Sequence, residues 1–149
     1  MRALPFTKEE LEAIVLKYPT PFHIYDEAGI RQNVLRLQEA FAWNSGFREY
    51  FAVKALPNPA IMKLLHDIGC GMDCSSMTEL LLSRAVGITG TDIMFSSNDT
   101  PAEEFRLARE MGVLINLDDI THIPFLAENG GIPKVISCRF NPGGEFMLG

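Results

Sequence analysis

The chain has 149 residues, 47% of them hydrophobic and 21% charged, a balance that supports a folded core and argues against wholesale disorder. Its net charge is −6 with a pI near 5.0, and it lacks a lysine–arginine cluster, which argues against a nucleic-acid partner. No run approaches the ~20 apolar residues of a membrane helix, and the charged segment Lys8–Glu10 interrupts any secretory signal. We therefore expect a cytoplasmic protein with no membrane partner, and its length initially favours a single domain.

The first 25 residues predict a short helix followed by an extended segment. Thr7 and Glu10 have the spacing of a capping box, and apolar residues follow at helical intervals. Two prolines then end this helix, and Phe22–Tyr25 is predicted to be extended. Asp26 is predicted to cap a long helix that runs to about Ala42.

From Tyr50 onwards, apolar runs alternate with helix signals. Five strands are predicted, the last over 134–140, and their carboxyl ends fall 19 to 23 residues apart at Lys54, Asp73, Ser96, Asn116 and Arg139. Strands that alternate with helices at this spacing indicate parallel βα units.

Residues that favour helix starts follow four of these strands. Asn58 with Pro59, Ser76 with Glu79, and Thr100 with Pro101 and Glu103 are such signals, while Asp118 or Asp119 is predicted to cap a fourth, shorter helix. Three glycines are predicted to end the first three of these helices, namely Gly69, Gly87 and Gly112.

Periodicity leaves two architectures open, a small doubly wound open sheet and part of a (βα)8 barrel. A complete barrel needs eight strands and typically about 250 residues, so length alone favours the open sheet. Both architectures place functional groups at the carboxyl ends of the strands.

Lys54 is the most informative of the polar residues at these strand ends. It follows an apolar strand and has no capping role, so we expect it to be partly desolvated, which would lower its pKa. Such an amine can attack a carbonyl, although a lysine extending to water is the simpler interpretation. Arg139 lies in a mostly apolar strand and needs an anionic or hydrogen-bonded partner, for which Asp73 is a candidate. Alternatively, Asp73 could hydrogen-bond a cofactor.

Other chemical signals are weak. The three cysteines do not form a paired framework, and the histidines lie far apart, so we expect buried or partly buried free thiols and no metal. No dinucleotide-binding fingerprint is present. The segment 141–144 is predicted to be a turn that could bind phosphate.

Five segments in order resemble the fold-type III pyridoxal-phosphate (PLP) amino-acid decarboxylases, and a sixth resembles the segment that begins their fold. The five are 50–59, which contains the lysine motif, 69–80, 95–100, 115–118 and 139–142, and the sixth is 20–26. The closest resemblance within this family is to the bacterial diaminopimelate decarboxylases.

This resemblance implies an α/β fold that is part of a (βα)8 TIM barrel of the alanine racemase and decarboxylase type, overturning the preference for an open sheet. It implies that Lys54 forms the Schiff base with PLP, and that Asp73 and Arg139 lie near the cofactor. Residues 1–25 would form the amino-terminal helix and first extended segment, and residues 26–149 the amino-terminal part of the PLP-binding barrel.

The implied reaction is conversion of meso-diaminopimelate to L-lysine and CO2. The family's glycine-rich phosphate loop and the glutamate that faces the pyridine nitrogen have no counterpart here. We therefore expect an amino-terminal portion of about five barrel strands that is inactive by itself. A racemase or PLP carrier of the same fold type and a compact open-sheet binding module stay open as alternatives. Exposed sheet edges predict a homodimer or other self-association.

Overall fold

The computed structural model describes residues 4–140, which form six α-helices and five parallel strands. In chain order the elements are α1 (Lys8–Lys17), α2 (Glu27–Ala40), β1 (Tyr50–Ala52), α3 (Pro59–Asp67), β2 (Gly71–Cys74), α4 (Met77–Ala85), β3 (Ile93–Ser97), α5 (Ala102–Glu110), β4 (Leu114–Leu117), α6 (His122–Asn129) and β5 (Ile136–Cys138). Short 3-10 helices cover Val53–Ala55 and Gly90–Asp92. None of the described helices has the length and apolar character needed to cross a membrane.

Local capping fixes where most helices start. Thr7 and Glu10 form the predicted capping box of α1, and Asp26 accepts a hydrogen bond from the amide of Gly29 at the start of α2. Asn58 and Ser76 cap α3 and α4. The glycines that end α3, α4 and α5 all have positive φ, between 67° and 95°, a region that disfavours residues with a Cβ.

The two later helix starts differ from the prediction. Helix α5 has Pro101 at its N-cap with no side-chain cap, because it begins one residue later than predicted, and the hydroxyl of Thr100 donates to the carbonyl of Ser97. Helix α6 begins after Thr121, whose amide and hydroxyl both donate to Asp119. A turn closed by Asp119 therefore precedes α6.

The five strands lie side by side in their chain order, β1-β2-β3-β4-β5. Successive parallel strands are joined by helices, and such connections are right-handed, so an unbroken order places every crossover helix on the same face of the sheet. The residues confirm this, because the buried side chains of α3, α4, α5 and α6 belong to one core with alternate residues of the strands.

The strand residues alternate between a covered and an open face. On the covered face, Met72, Ile93, Phe95 and Ile115 are at most 1% exposed. The ring of Phe95 meets that of Phe105 from α5 edge to face, with centroids 6.3 Å apart. The opposite face consists of half-buried side chains, Asp73, Met94, Ser96, Leu114, Asn116 and Ser137.

The expectation from length, an open doubly wound sheet, is therefore wrong. That fold needs the chain to reverse its strand order so that helices cover both faces, whereas here the order never reverses. Helices on one face and polar groups on the other are typical of part of a (βα)8 barrel. In such a barrel the helices cover the outside of the sheet, and the face without helices forms the inside.

Three predicted strands change in extent. Residues 22–25 pair with no strand among the described residues, β1 ends at Ala52 rather than at Lys54, and β5 covers only Ile136–Cys138. The predicted turn at 141–144 lies outside the described residues.

The cysteines are free, and two of them are buried as expected. Burial raises the pKa of Cys74 to about 12, although its sulfur lies 3.3 Å from the Ser83 hydroxyl. Cys138, at the end of β5, is exposed, contrary to the expectation of burial.

Candidate active site

A polar cavity of about 380 Å³ lies at the carboxyl ends of the strands. It is lined by Lys54, Asp73, Ser75, Ser96, Ser97, Asn98, Asp99 and Arg139. All three site residues predicted from the sequence therefore line one cavity, although they are separated by up to 85 positions in the chain. Its volume falls within the range of small-molecule sites, about 300–1,000 Å³.

Lys54 reaches the cavity from a 3-10 turn rather than from the strand itself. The turn is closed by the amide of Leu56, which donates to the carbonyl of Val53 over 3.1 Å. Val53 is fully buried and anchors the turn, whereas Lys54 is exposed. The expected packing of Lys54 against an apolar strand end is thus wrong, because the chain turns away after Ala52.

Asp73 lies on β2, opposite Ala52 of β1 in the sheet register. Its Oδ1 atom is buried and has no hydrogen-bond partner among the described residues. Burial raises the pKa of Asp73, an effect that the positive charges of Lys54 and Arg139 oppose and the carboxylate of Glu79 reinforces. An unpaired carboxyl oxygen beside two cations is suited to receive a ligand's hydrogen-bond donor.

The loop after β2 is held by Glu79 of α4. Its carboxylate accepts hydrogen bonds from the Ser75 amide at 2.9 Å and from the hydroxyls of Ser75 and Ser76 at 3.1 and 3.2 Å. The hydroxyl proton of Ser75 is therefore already engaged, although this residue lines the cavity.

Arg139 follows β5 and is held by its backbone, whose amide donates to the carbonyl of Leu117 over 2.9 Å. Its Nη1 lies 2.7 Å from Oδ1 of Asp118, and its Nη2 donates to the hydroxyl oxygen of Ser96 over 3.2 Å. The ion-pair partner is thus Asp118, which the sequence predicted only as a possible helix cap, and not Asp73.

Ser96 and Asn116 belong to a hydrogen-bonded row beside the cavity, a role that was not predicted from the sequence. Asn116 donates to Ser96 over 3.1 Å and accepts from the hydroxyl of Ser137 over 2.8 Å. These residues occupy matching register positions on β3, β4 and β5. A polar residue near the end of each predicted strand was the available signal.

Comparison with known proteins identifies the family. A family model described as "Pyridoxal-dependent decarboxylase, pyridoxal binding domain" matches residues 27–145. Protein TabA of Pseudomonas amygdali pv. tabaci is 45% identical over 134 residues, covering 90% of this chain and 31% of that protein. Diaminopimelate decarboxylase of Thermoplasma acidophilum is 34% identical over 139 residues, covering 91% of this chain and 33% of that protein.

Solved structures agree with this assignment. Diaminopimelate decarboxylase from Helicobacter pylori, complexed with L-lysine, matches with a TM-score of 0.76 and 30% identity, covering 89% of this chain and 34% of that one. The chain thus spans about a third of the length of these relatives. With its parallel sheet, its one-sided helices and its family match, the chain belongs to the fold-type III pyridoxal-dependent decarboxylases, within their pyridoxal-binding domain.

Proposed function

We propose that this chain supplies the lysine-bearing part of a PLP-dependent amino-acid decarboxylase, with Lys54 as the residue that holds the cofactor. The observation that carries the proposal is the joint presence of Lys54, Asp73 and Arg139 in one cavity at the carboxyl ends of parallel strands. In barrels of this kind, those ends carry the chemistry.

The residues of the cavity fit a PLP group. An exposed lysine amine at the rim can reach a ligand aldehyde, and the orphaned Oδ1 of Asp73 can accept a hydrogen bond from the ligand. Arg139 adds a positive charge and keeps N–H groups beyond those that contact Asp118 and Ser96. The cavity thus offers a nucleophile, an acceptor and a cation to one ligand.

In the proposed site, each residue has a separate role. Lys54 would hold the cofactor covalently through Nζ, with water as the leaving group. Once the substrate amine had displaced it, Lys54 or another acid would donate a proton to the substrate carbon that lost its carboxylate. Asp73 and Arg139 orient polar edges of the ligand. When bound, PLP supplies the conjugated ring that accepts the electron pair released by decarboxylation.

For the substrate we propose meso-diaminopimelate, with L-lysine and CO2 as products. One C–C bond to a carboxylate breaks, CO2 leaves, and a proton takes its place on the same carbon. The support is the shared name of two relatives at 34% and 30% identity. TabA, at 45% identity, is a relative whose name specifies no substrate, so an assay must include other amino acids.

The test of cofactor binding uses the protein as it is encoded, with any sequence that flanks these residues. We expect borohydride reduction in the presence of PLP, followed by peptide mass spectrometry, to place the pyridoxyl group on Lys54. The cofactor bound to Lys54 should also give an absorbance band in the near-visible range. Lys54→Ala should abolish both the adduct and this band. Lys63→Ala, which removes an exposed lysine of α3, is the matched control and should change neither. An adduct retained in Lys54→Ala would contradict the proposal.

We also propose that the edges at β1 and β5 mediate self-association of this chain. Within the described residues each of these strands has a neighbour on one side only, so backbone donors and acceptors on the other side lack strand partners. Light scattering of the 149-residue chain should detect dimers or larger species. A stable monomer at high concentration would count against this proposal.

A further inference from the structure

A row of hydrogen bonds crosses the open face of the sheet and ends at the cavity. Ser137 on β5 donates its hydroxyl to Oδ1 of Asn116 over 2.8 Å, and Nδ2 of Asn116 donates to Oγ of Ser96 over 3.1 Å. All three side chains are half buried. The three bonded residues lie directly opposite one another in the register, so the strands hold the row in place.

The hydroxyl of Ser96 has a particular position in this row. A serine hydroxyl has two acceptor lone pairs and one proton to donate. Both lone pairs of Ser96 are occupied, one by Nδ2 of Asn116 and the other by Nη2 of Arg139 over 3.2 Å. Its O–H group is therefore left as a donor, and no hydrogen bond from it to an acceptor is found among residues 4–140, although Ser96 lines the cavity that contains Lys54.

Two nearby hydroxyls, those of Ser75 and Thr100, differ from Ser96 in this respect. The Ser75 hydroxyl donates to Glu79, and the Thr100 hydroxyl donates to the Ser97 carbonyl. Two incoming donors, one of them a guanidinium, polarise the Ser96 hydroxyl and strengthen its remaining O–H as a donor. The cavity is also lined by the two cations Lys54 and Arg139 and by Asp73 and Asp99, and the acceptor that suits both cations and the Ser96 O–H is an anionic oxygen.

We propose that Ser96 donates a hydrogen bond to an anionic oxygen of the bound ligand, and that Asn116 is the positioning residue that keeps this proton directed into the cavity. The inference rests on the proposed function, because it takes the ligand to be the cofactor with its amino acid. Two oxygens have the required chemistry, the phenolate oxygen of the cofactor ring and the carboxylate of the amino acid.

The variants separate the hydroxyl from its orientation. Ser96→Ala removes the donor, and Ser96→Thr keeps it. Asn116→Asp preserves the side-chain shape but offers only acceptor oxygens, so the Ser96 proton turns towards the strand neighbour and away from the ligand. Ser45→Ala, in the exposed turn after α2, is the matched control for loss of a hydroxyl. Circular dichroism verifies that each variant is folded.

The first measurement is the affinity of the cofactor-free encoded protein for PLP, followed by absorbance. If Ser96 contacts the ring oxygen, Ser96→Ala and Asn116→Asp weaken PLP binding about tenfold, as expected for a lost hydrogen bond to a charged group. Ser96→Thr and Ser45→Ala stay within about threefold of the unaltered protein, which is under 1 kcal/mol.

The second measurement distinguishes the two oxygens. The PLP-loaded protein is titrated with L-lysine and with cadaverine, the diamine that lacks the carboxylate. If Ser96 contacts the carboxylate, Ser96→Ala and Asn116→Asp weaken L-lysine binding about tenfold and leave cadaverine and PLP affinity unchanged.

Two results overturn the inference in distinguishable ways. If Lys54 forms its adduct and no affinity changes in Ser96→Ala and Asn116→Asp, the role of Ser96 is wrong and the proposed function stands. If the unaltered protein forms no adduct on Lys54, the proposed function fails and this inference fails with it.

Discussion

The two ends of the sheet differ in how completely their polar groups are paired. At the amino ends of the strands, Asp92 accepts hydrogen bonds from Arg48 over 2.8 Å and pairs with His66 over 2.9 Å. The hydroxyl of Tyr50 donates to the carbonyl of Thr91 over 2.9 Å, and Arg48 lies over the Tyr50 ring, 5.4 Å from its centroid. These polar groups pair with one another.

At the carboxyl ends, two polar groups lack a hydrogen-bond partner among the described residues. The Oδ1 atom of Asp73 is buried without a hydrogen bond, and the O–H of Ser96 finds no acceptor among the described residues. An unpaired buried polar group costs free energy, which a bound ligand can recover. In βα barrels generally, the amino ends of the strands contribute to stability and the carboxyl ends carry the functional site, and the distribution of paired and unpaired groups here agrees with that division.

The largest expected effect on stability is at the amino end, at Gly71. A Cβ there would overlap the ring of Tyr50 and approach the backbone carbonyl oxygen of Asp92 to 2.9 Å. We expect Gly71→Ala to lower the free energy of unfolding by about 2 kcal/mol, because the ring and the strand must shift. Chemical denaturation measures this. Gly46→Ala, whose Cβ would meet only Asn44 at 3.5 Å, is the control and should have little effect.

A smaller loss is expected for Asp92→Asn, which removes the charge that Arg48 and His66 share. The Arg48–Asp92 ion pair is partly exposed, with side-chain exposures of 32% and 37%, so we expect the free energy of unfolding to fall by about 1 kcal/mol. Cofactor affinity should not change, because the site lies at the other end. Asp67→Asn, an exposed change on α3, is the control. Reduced PLP affinity in Asp92→Asn would contradict the expectation that changes at the amino end affect stability and not ligand binding.

The smallest expected effect is on the pH dependence of stability. It directly compares Asp92 at the amino end with Asp73 at the carboxyl end. Hydrogen bonds from His66 and Arg48 lower the pKa of Asp92 below its ordinary 3.8, so its contribution is present above that pH and lost as the pH falls through the folded-state pKa. Burial raises the pKa of Asp73 above 3.8, so its ionised form costs stability at neutral pH, and acidification relieves this cost.

The corresponding variants should therefore respond to acid in opposite directions. Asp73→Asn should be more stable than the unaltered protein at neutral pH, with an advantage that shrinks on acidification. Asp92→Asn should be less stable, with a deficit that shrinks. Denaturation midpoints measured from pH 7 down to about pH 3 verify both slopes. If the stability of both variants, relative to the unaltered protein, changed with pH in the same direction, the pKa values of Asp73 and Asp92 would not be shifted in opposite directions.

Much of the local structure could be predicted because its causes are local. Thr7, Asp26, Asn58 and Ser76 cap helices through hydrogen bonds to residues two or three positions away. The prediction failed at Thr100, because α5 begins after Pro101 and the Thr100 hydroxyl donates to the Ser97 carbonyl. A single sequence does not reveal at which of two adjacent residues such a helix begins.

The candidate site was predictable in its members and not in its pairings. Lys54, Asp73 and Arg139 could be identified as strand-end residues, since parallel strands bring their carboxyl ends to one edge. The partnership of Arg139 with Asp118 and Ser96 depends on side-chain positions across neighbouring strands. The same holds for the exposure of Lys54, which follows from the turn at Val53–Ala55.

By itself, the sequence determined the alternation of strands and helices, the strand-end polar residues and a family resemblance. Only the tertiary structure decided that the strands stay in chain order and that the helices cover a single face. It also decided which hydroxyl groups donate to no acceptor among the described residues. The physical reason is that periodicity reports which residues are apolar, whereas strand order and hydrogen-bond partners depend on contacts between residues far apart in the chain.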